Sequence, residues 1–133
     1  MRIMLDTNVL ISAFLFPSAR MNRIMDDIFL HHTLVLPSYV IDELHKVVDR
    51  KFPARKAALE RFLTGISYEM TYTPRIPTPG LVEIRDQKDY PVIYSAITED
   101  VDILITGDRD FQNLGLERPQ VLTPSDFLAL SEK

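Results

Sequence analysis

The sequence predicts an α/β fold: a mostly parallel central sheet sandwiched between helices. Runs such as Ile3-Met4-Leu5 and Ile103-Leu104-Ile105 are apolar at every position, the pattern of strands buried on both faces, as in parallel sheets. Between such runs lie stretches with apolar residues at helical spacing, and parallel strands need crossover connections of that kind. The 133 residues, 46% hydrophobic and 26% charged, suffice for one core but not two, so a single domain over 1–133 is expected.

The first strand is Arg2-Ile3-Met4-Leu5, closed by Asp6-Thr7-Asn8, and a helix over Val9 to Phe16 stops at Pro17. Met21, Ile24, Met25 and Ile28 mark a second helix over Ala19 to His31, and Thr33 to Leu36 is a second strand halted by Pro37. Ser38 is the expected N-cap of a third helix. Its apolar stripe is Val40, Leu44, Val47 and Val48, with Asp42, Lys46, Asp49 and Arg50 toward water, and Pro53 ends it. A helix over Ala54 to Leu63 reaches Gly65, a strand covers Tyr68 to Tyr72, and Pro74 to Gly80 is a loop with three prolines. A helix from Asp89 to about Glu99 feeds a buried strand over Asp102 to Thr106, ended by Gly107-Asp108. A helical turn at Asp110 to Leu114, a strand over Gln120 to Leu122 and a helix over Ser125 to Ser131 complete the order.

Composition narrows the function. No apolar run approaches the roughly 20 residues of a spanning helix, and no basic stretch followed by an apolar segment opens the chain, so no membrane association and a cytoplasmic location are expected. Without cysteine there are no disulfides, thiolate nucleophiles or cysteine-bound zinc. The net charge, 15 − 19 = −4, argues against a generally basic nucleic-acid-binding surface. A local basic face beside acids neutralised by a cation is still compatible with phosphate contacts.

The acids sit where α/β sheets carry their sites, at the carboxyl ends of strands. Two apolar strands end in Asp6 and Asp108, Asp89 opens the helix that feeds the second of them, and Glu43 lies at the edge of its helix's apolar stripe. Taken singly, the three aspartates are explained as N-caps, worth about 1 kcal/mol each, and Glu43 as a solvated stripe-edge residue. Together they point elsewhere. Clustered carboxylates raise one another's pKa and persist mainly where a cation offsets the repulsion. Oxygen-only donors select Mg²⁺ or Mn²⁺. His31, His32 and His45 have no metal-ligand spacing and are given no role.

Four segments, Met4-Leu5-Asp6-Thr7-Asn8-Val9-Leu10-Ile11-Ser12-Ala13, Ile41-Asp42-Glu43-Leu44, Arg85-Asp86-Gln87-Lys88-Asp89 and Leu104-Ile105-Thr106-Gly107-Asp108-Arg109-Asp110-Phe111, resemble the successive acidic motifs of PIN domains, in family order across nearly the whole chain. The likeness is strongest to the small prokaryotic toxin-like (VapC-like) members. It implies a PIN-like α/β/α sandwich and a metal-dependent endoribonuclease with Asp6, Glu43, Asp89 and Asp108 as its acidic quartet and Asp110 as an accessory acid. Asp6, Asp89, Asp108 and Asp110 form the implied set for Mg²⁺ or Mn²⁺. Asp6 and Asp108 are its primary ligands; Glu43 and Asp89 bind through water or act on the attacking water. Thr7, Asn8 and Thr106 are implied supporting residues, with Asn8 and Thr106 ordering carboxylates or water by hydrogen bonds.

Asp86 rivals Asp89, although Asp89-Tyr90-Pro91-Val92-Ile93 better matches the position that opens the helix; Pro91 and Tyr94 depart from the family pattern there. The resemblance further implies an RNA substrate, a cognate antitoxin that inserts an Arg or Lys among the carboxylates, and a homodimer. Basic residues at Arg50, Lys51, Arg55, Lys56 and Arg61, with Arg20 and Arg23 as a second set, are candidate phosphate contacts outside the acidic site.

Three alternatives remain. A phosphotransfer receiver needs a lysine after a late strand, yet none follows Thr106 until Lys133, and an aspartate-nucleophile phosphatase needs an acid where Asn8 stands. A non-catalytic PIN-fold module that binds RNA or protein is the third; the complete quartet argues against it.

Overall fold

The computed structural model describes residues 1–132. Its sheet contains β1 (Arg2–Leu5), β2 (Thr33–Pro37), β3 (Glu69–Thr71), β4 (Ile103–Ile105) and β5 (Gln120–Leu122). Every pairing is parallel, in the order β3-β2-β1-β4-β5. Successive residues Ile3, Met4 and Leu5 are all fully buried, as are Val35 and Leu36. Because side chains alternate between the faces of a strand, burial of consecutive residues means that both faces are covered, each such side chain contributing about 1.5–3 kcal/mol. The predicted α/β/α architecture is thus the observed one.

The covering helices are α1 (Thr7–Leu15), α2 (Ala19–His31), α3 (Ser38–Lys51), α4 (Lys56–Gly65), α5 (Tyr90–Thr98), α6 (Arg109–Gln112) and α7 (Pro124–Ser131). α1 packs against α2 and α3, α3 against α4 and α5, and α2 against α7. The stripe of α3 is buried at Val40, Leu44 and Val48, while Val47 is only half-buried and faces a cleft.

Several boundaries differ from those expected. Ser38 is not the cap of α3: it is the first helical residue after Pro37, and its hydroxyl accepts instead from the Thr73 N–H at 2.8 Å. The stretch predicted as a helix from Ala54 divides into a 3₁₀ turn, Pro53–Arg55, and α4. The strand predicted over Tyr68 to Tyr72 shrinks to Glu69–Thr71, as an edge strand with β2 on one side alone. The turn expected at Asp110 to Leu114 begins earlier, at Arg109, since Asp108 caps it. α7 begins at Pro124, behind a capping box of Thr123 and Asp126. A 3₁₀ turn, Gln87–Asp89, precedes α5, so the helix expected from Asp89 starts at Tyr90.

β1 lies between β2 and β4, where the order of connection reverses. A crevice opens at such a switch point, outside the carboxyl ends of the strands. The register pairs Leu5 with Ile105, so Asp6 and Thr106 emerge side by side. The segment between Thr71 and Gln87, which has no helix or strand, is pinned to this end of the sheet at Thr73, whose N–H donates to Ser38, and at Arg85, which pairs with Asp110. Tyr90 anchors it, its hydroxyl donating to the Thr78 carbonyl at 2.6 Å and accepting from the Leu81 N–H at 3.2 Å.

Candidate metal centre

Asp6 ends β1 and caps α1. One carboxylate oxygen accepts from the Val9 N–H at 2.8 Å, and the other accepts from the Thr106 hydroxyl. The residue is 6% exposed, and burial pushes its pKa up, with the negative charge of Asp108 adding to the shift while the bonds from Thr106 and Val9 oppose it. Thr106, fully buried, links the two strand ends, since its hydroxyl also accepts from the Asp108 N–H at 3.1 Å. Its backbone carbonyl accepts from the Gln112 side chain at 3.1 Å.

Asp108 caps α6 through one oxygen, which accepts from the Asp110 N–H at 2.9 Å. Asp110 is held by Arg85 in a two-pronged ion pair of 2.9 and 3.0 Å. Arg85 comes from the irregular segment, with its side chain 82% exposed.

Asp89 behaves differently. It precedes α5 without making a side-chain cap, because Asp86 already caps the 3₁₀ turn by accepting from the Lys88 N–H at 3.0 Å. One Asp89 oxygen, Oδ2, is buried and has no hydrogen-bond partner among the described residues. Burial first, then the charges of Asp108 and Asp86, push its pKa up to about 6. The cap explanation therefore holds for one oxygen each of Asp6 and Asp108 and fails for Asp89.

Ligand oxygens of Asp89, Asp108 and Asp110 lie within 4.8 Å of one another. Asp6 and Glu43 stand outside that trio but line one cleft of about 400 Å³ with Asp89 and Asp108, together with Thr7 and Asn8. The eight residues singled out from the sequence thus lie at one end of the sheet. Tyr39 and Lys88, given no role from the sequence, also line the cleft. The Tyr39 hydroxyl donates to the Lys88 carbonyl at 3.1 Å, and burial with the charges of Glu43 and Asp89 raises its pKa, keeping it protonated. Neither proposed basic set lines this cleft. Arg85 belongs to the third acidic segment, and its pairing with Asp110 is visible only in the structure. Clustered oxygen donors, one of them a buried carboxylate oxygen without a partner, fit a hard divalent cation.

Fold and cleft define a parallel-sheet α/β protein with an acid-lined crevice at its topological switch point. The PIN-domain family model matches residues 2–110, and the chain belongs to the PIN-domain family. Among solved structures, it is similar to a chain in the crystal structure of VapBC2 from Rickettsia felis bound to a DNA fragment from their promoter. That likeness has a TM-score of 0.73 at 21% identity and covers 92% of this chain and 97% of the other. No curated protein sequence matches the chain.

Proposed function

We propose that the chain is a single-domain, divalent-metal-dependent endoribonuclease and the toxin half of a toxin–antitoxin pair. The observation that carries this reading is the gathering of Asp6, Glu43, Asp89 and Asp108 in one cleft, with Asp110 within 4.8 Å of Asp89 and Asp108. Asp89, Asp108 and Asp110, with Asp6 beside them, would hold Mg²⁺ or Mn²⁺, which when bound supplies a Lewis acid for activating water and neutralising charge on a phosphodiester.

The protein's own groups do the positioning. Val9 and Thr106 fix the Asp6 carboxylate, and Thr106 ties it to the Asp108 backbone, so the two strand ends hold one geometry. The Glu43 carboxylate serves as the proton acceptor for the attacking water, with Tyr39 beside it. Lys88 offers its ammonium to a phosphate oxygen. Thr7 and Asn8 order the substrate edge of the cleft. The VapBC2 complex supports an antitoxin partner for this chain, whose inserted Arg or Lys would engage the carboxylates as Arg85 engages Asp110. A homodimer and a cytoplasmic location belong to the same reading.

The test is cleavage of a labelled single-stranded RNA pool in Mn²⁺, Mg²⁺ or EDTA, beside Asp6→Asn purified identically. Cleavage that needs both metal and Asp6 is expected; equal cleavage by parent and variant would refute the assignment.

A further inference from the structure

Two further clefts adjoin the acidic one, and the sheet order sets all three in a row. On one side, a cleft of about 490 Å³ shares Tyr39 with the acidic cleft and is lined by Ser38 and Thr73, just past β2 and β3. On the other, a cleft of about 290 Å³ shares Asn8 and is lined by Gly107 and Pro124, just past β4 and β5. The clefts thus cross the carboxyl edge of the sheet from one edge strand to the other.

Each outer cleft presents an exposed aromatic ring and a cation without an acidic partner. Tyr72, 75% exposed, lies with Arg75 and Lys46 at the β3 end. Phe16, 61% exposed, lies with Arg20 at the β5 end. Among the described residues none of these three cations makes a salt bridge, a state they share with Arg50, Lys51, Arg55, Arg61, Lys88 and Arg109; what sets them apart is their place beside an exposed ring in a cleft adjoining the acidic one. Arg20 is held in place by a 2.9 Å bond to the Ser125 hydroxyl. Asp42 is the one acid in the outer clefts. A single exposed aromatic is ordinary; a ring with a free cation at both ends of an acid cleft is the arrangement that binds single strands, where bases stack on rings and phosphates meet cations.

Building on the ribonuclease reading, we infer that the three clefts form one track for single-stranded RNA, with Tyr72 and Phe16 as base-stacking platforms and Arg75 and Arg20 as phosphate contacts on either side of the acidic centre. A duplex keeps its base faces stacked and cannot use the two rings.

The test is binding of a labelled uridine oligomer of about 12 nucleotides, single-stranded or paired, with Ca²⁺ present to neutralise the carboxylates. Phe16→Ala and Tyr72→Ala are each expected to weaken single-strand binding by at least about 5-fold, while Phe16→Tyr and Tyr72→Phe keep it. Arg20→Ala and Arg75→Ala are each expected to lower the salt slope by about 0.7. Melting curves check that the variants fold. Both alanine aromatic variants binding like the parent, a duplex binding as tightly as the single strand, or no single-strand binding by the parent would overturn the track. Binding and cleavage separate the two readings. Ring-dependent binding without metal-dependent cleavage removes the ribonuclease alone, and Asp6-dependent cleavage indifferent to both rings removes the track alone.

Discussion

Asp6 and Asp89 face one cleft but are held in opposite ways. Both oxygens of Asp6 accept hydrogen bonds, from Val9 and Thr106, within a strand end fixed by the sheet register. Asp89 ends a 3₁₀ turn after an irregular segment and keeps one buried oxygen without a partner. The Asp6 carboxylate is organised by the fold, whereas Asp89 carries a burial penalty and the repulsion of Asp108 and Asp86 with no hydrogen bond to its buried oxygen, although Arg85 pairs with the neighbouring Asp110.

The largest expected effect comes from breaking the organised side. Asp108→Asn should abolish metal-dependent cleavage while leaving the circular dichroism spectrum unchanged, because an asparagine oxygen still caps α6. Thr106→Val comes next. It strips Asp6 and the Asp108 N–H of a buried partner, an expected loss of about 1–3 kcal/mol in urea unfolding and of about 10- to 100-fold in Mn²⁺ affinity.

The Asp89 side should show itself through pH. Its carboxyl has a pKa of about 6, above the ordinary 3.8, so the metal-free fold is favoured while Asp89 is protonated. That stabilisation is fully present below the unfolded value and is lost as pH rises through about 6. In EDTA the parent should gain ~1 kcal/mol over Asp89→Asn on going from neutral pH to about 5, a figure reduced for partial solvent exposure. Parallel stability profiles for the two proteins would remove Asp89 as the strained group. The smallest effect belongs to Arg85→Ala, which frees Asp110. Mn²⁺ affinity should rise by up to about 5-fold, the scale of an exposed ion pair, measured by titration at fixed ionic strength.

The same contrast explains what the sequence made legible. β1 and β4 stand out because strands buried on both faces need unbroken apolar runs, and the acids that close them, Asp6 and Asp108, stand out with them. Ser38 misled because its hydroxyl had a tertiary donor, the Thr73 N–H, and a local capping rule does not foresee a partner 35 residues away. Asp86 and Asp89 were hard to separate by spacing. The structure distinguishes them, one capping a turn and the other standing partnerless in the cleft. The Arg85 pair and the Tyr39 to Lys88 contact were illegible, since each joins residues far apart in sequence through a segment without periodicity.

Mn²⁺ titration of the purified protein, followed by electron paramagnetic resonance, tests the central claim most directly, with Asp89→Asn and Asp108→Asn measured alongside. A saturable site in the parent that is lost or strongly weakened in both variants is the expected result. A parent that binds no Mn²⁺, or variants that bind it as tightly as the parent, would contradict the assignment of these carboxylates to a metal centre.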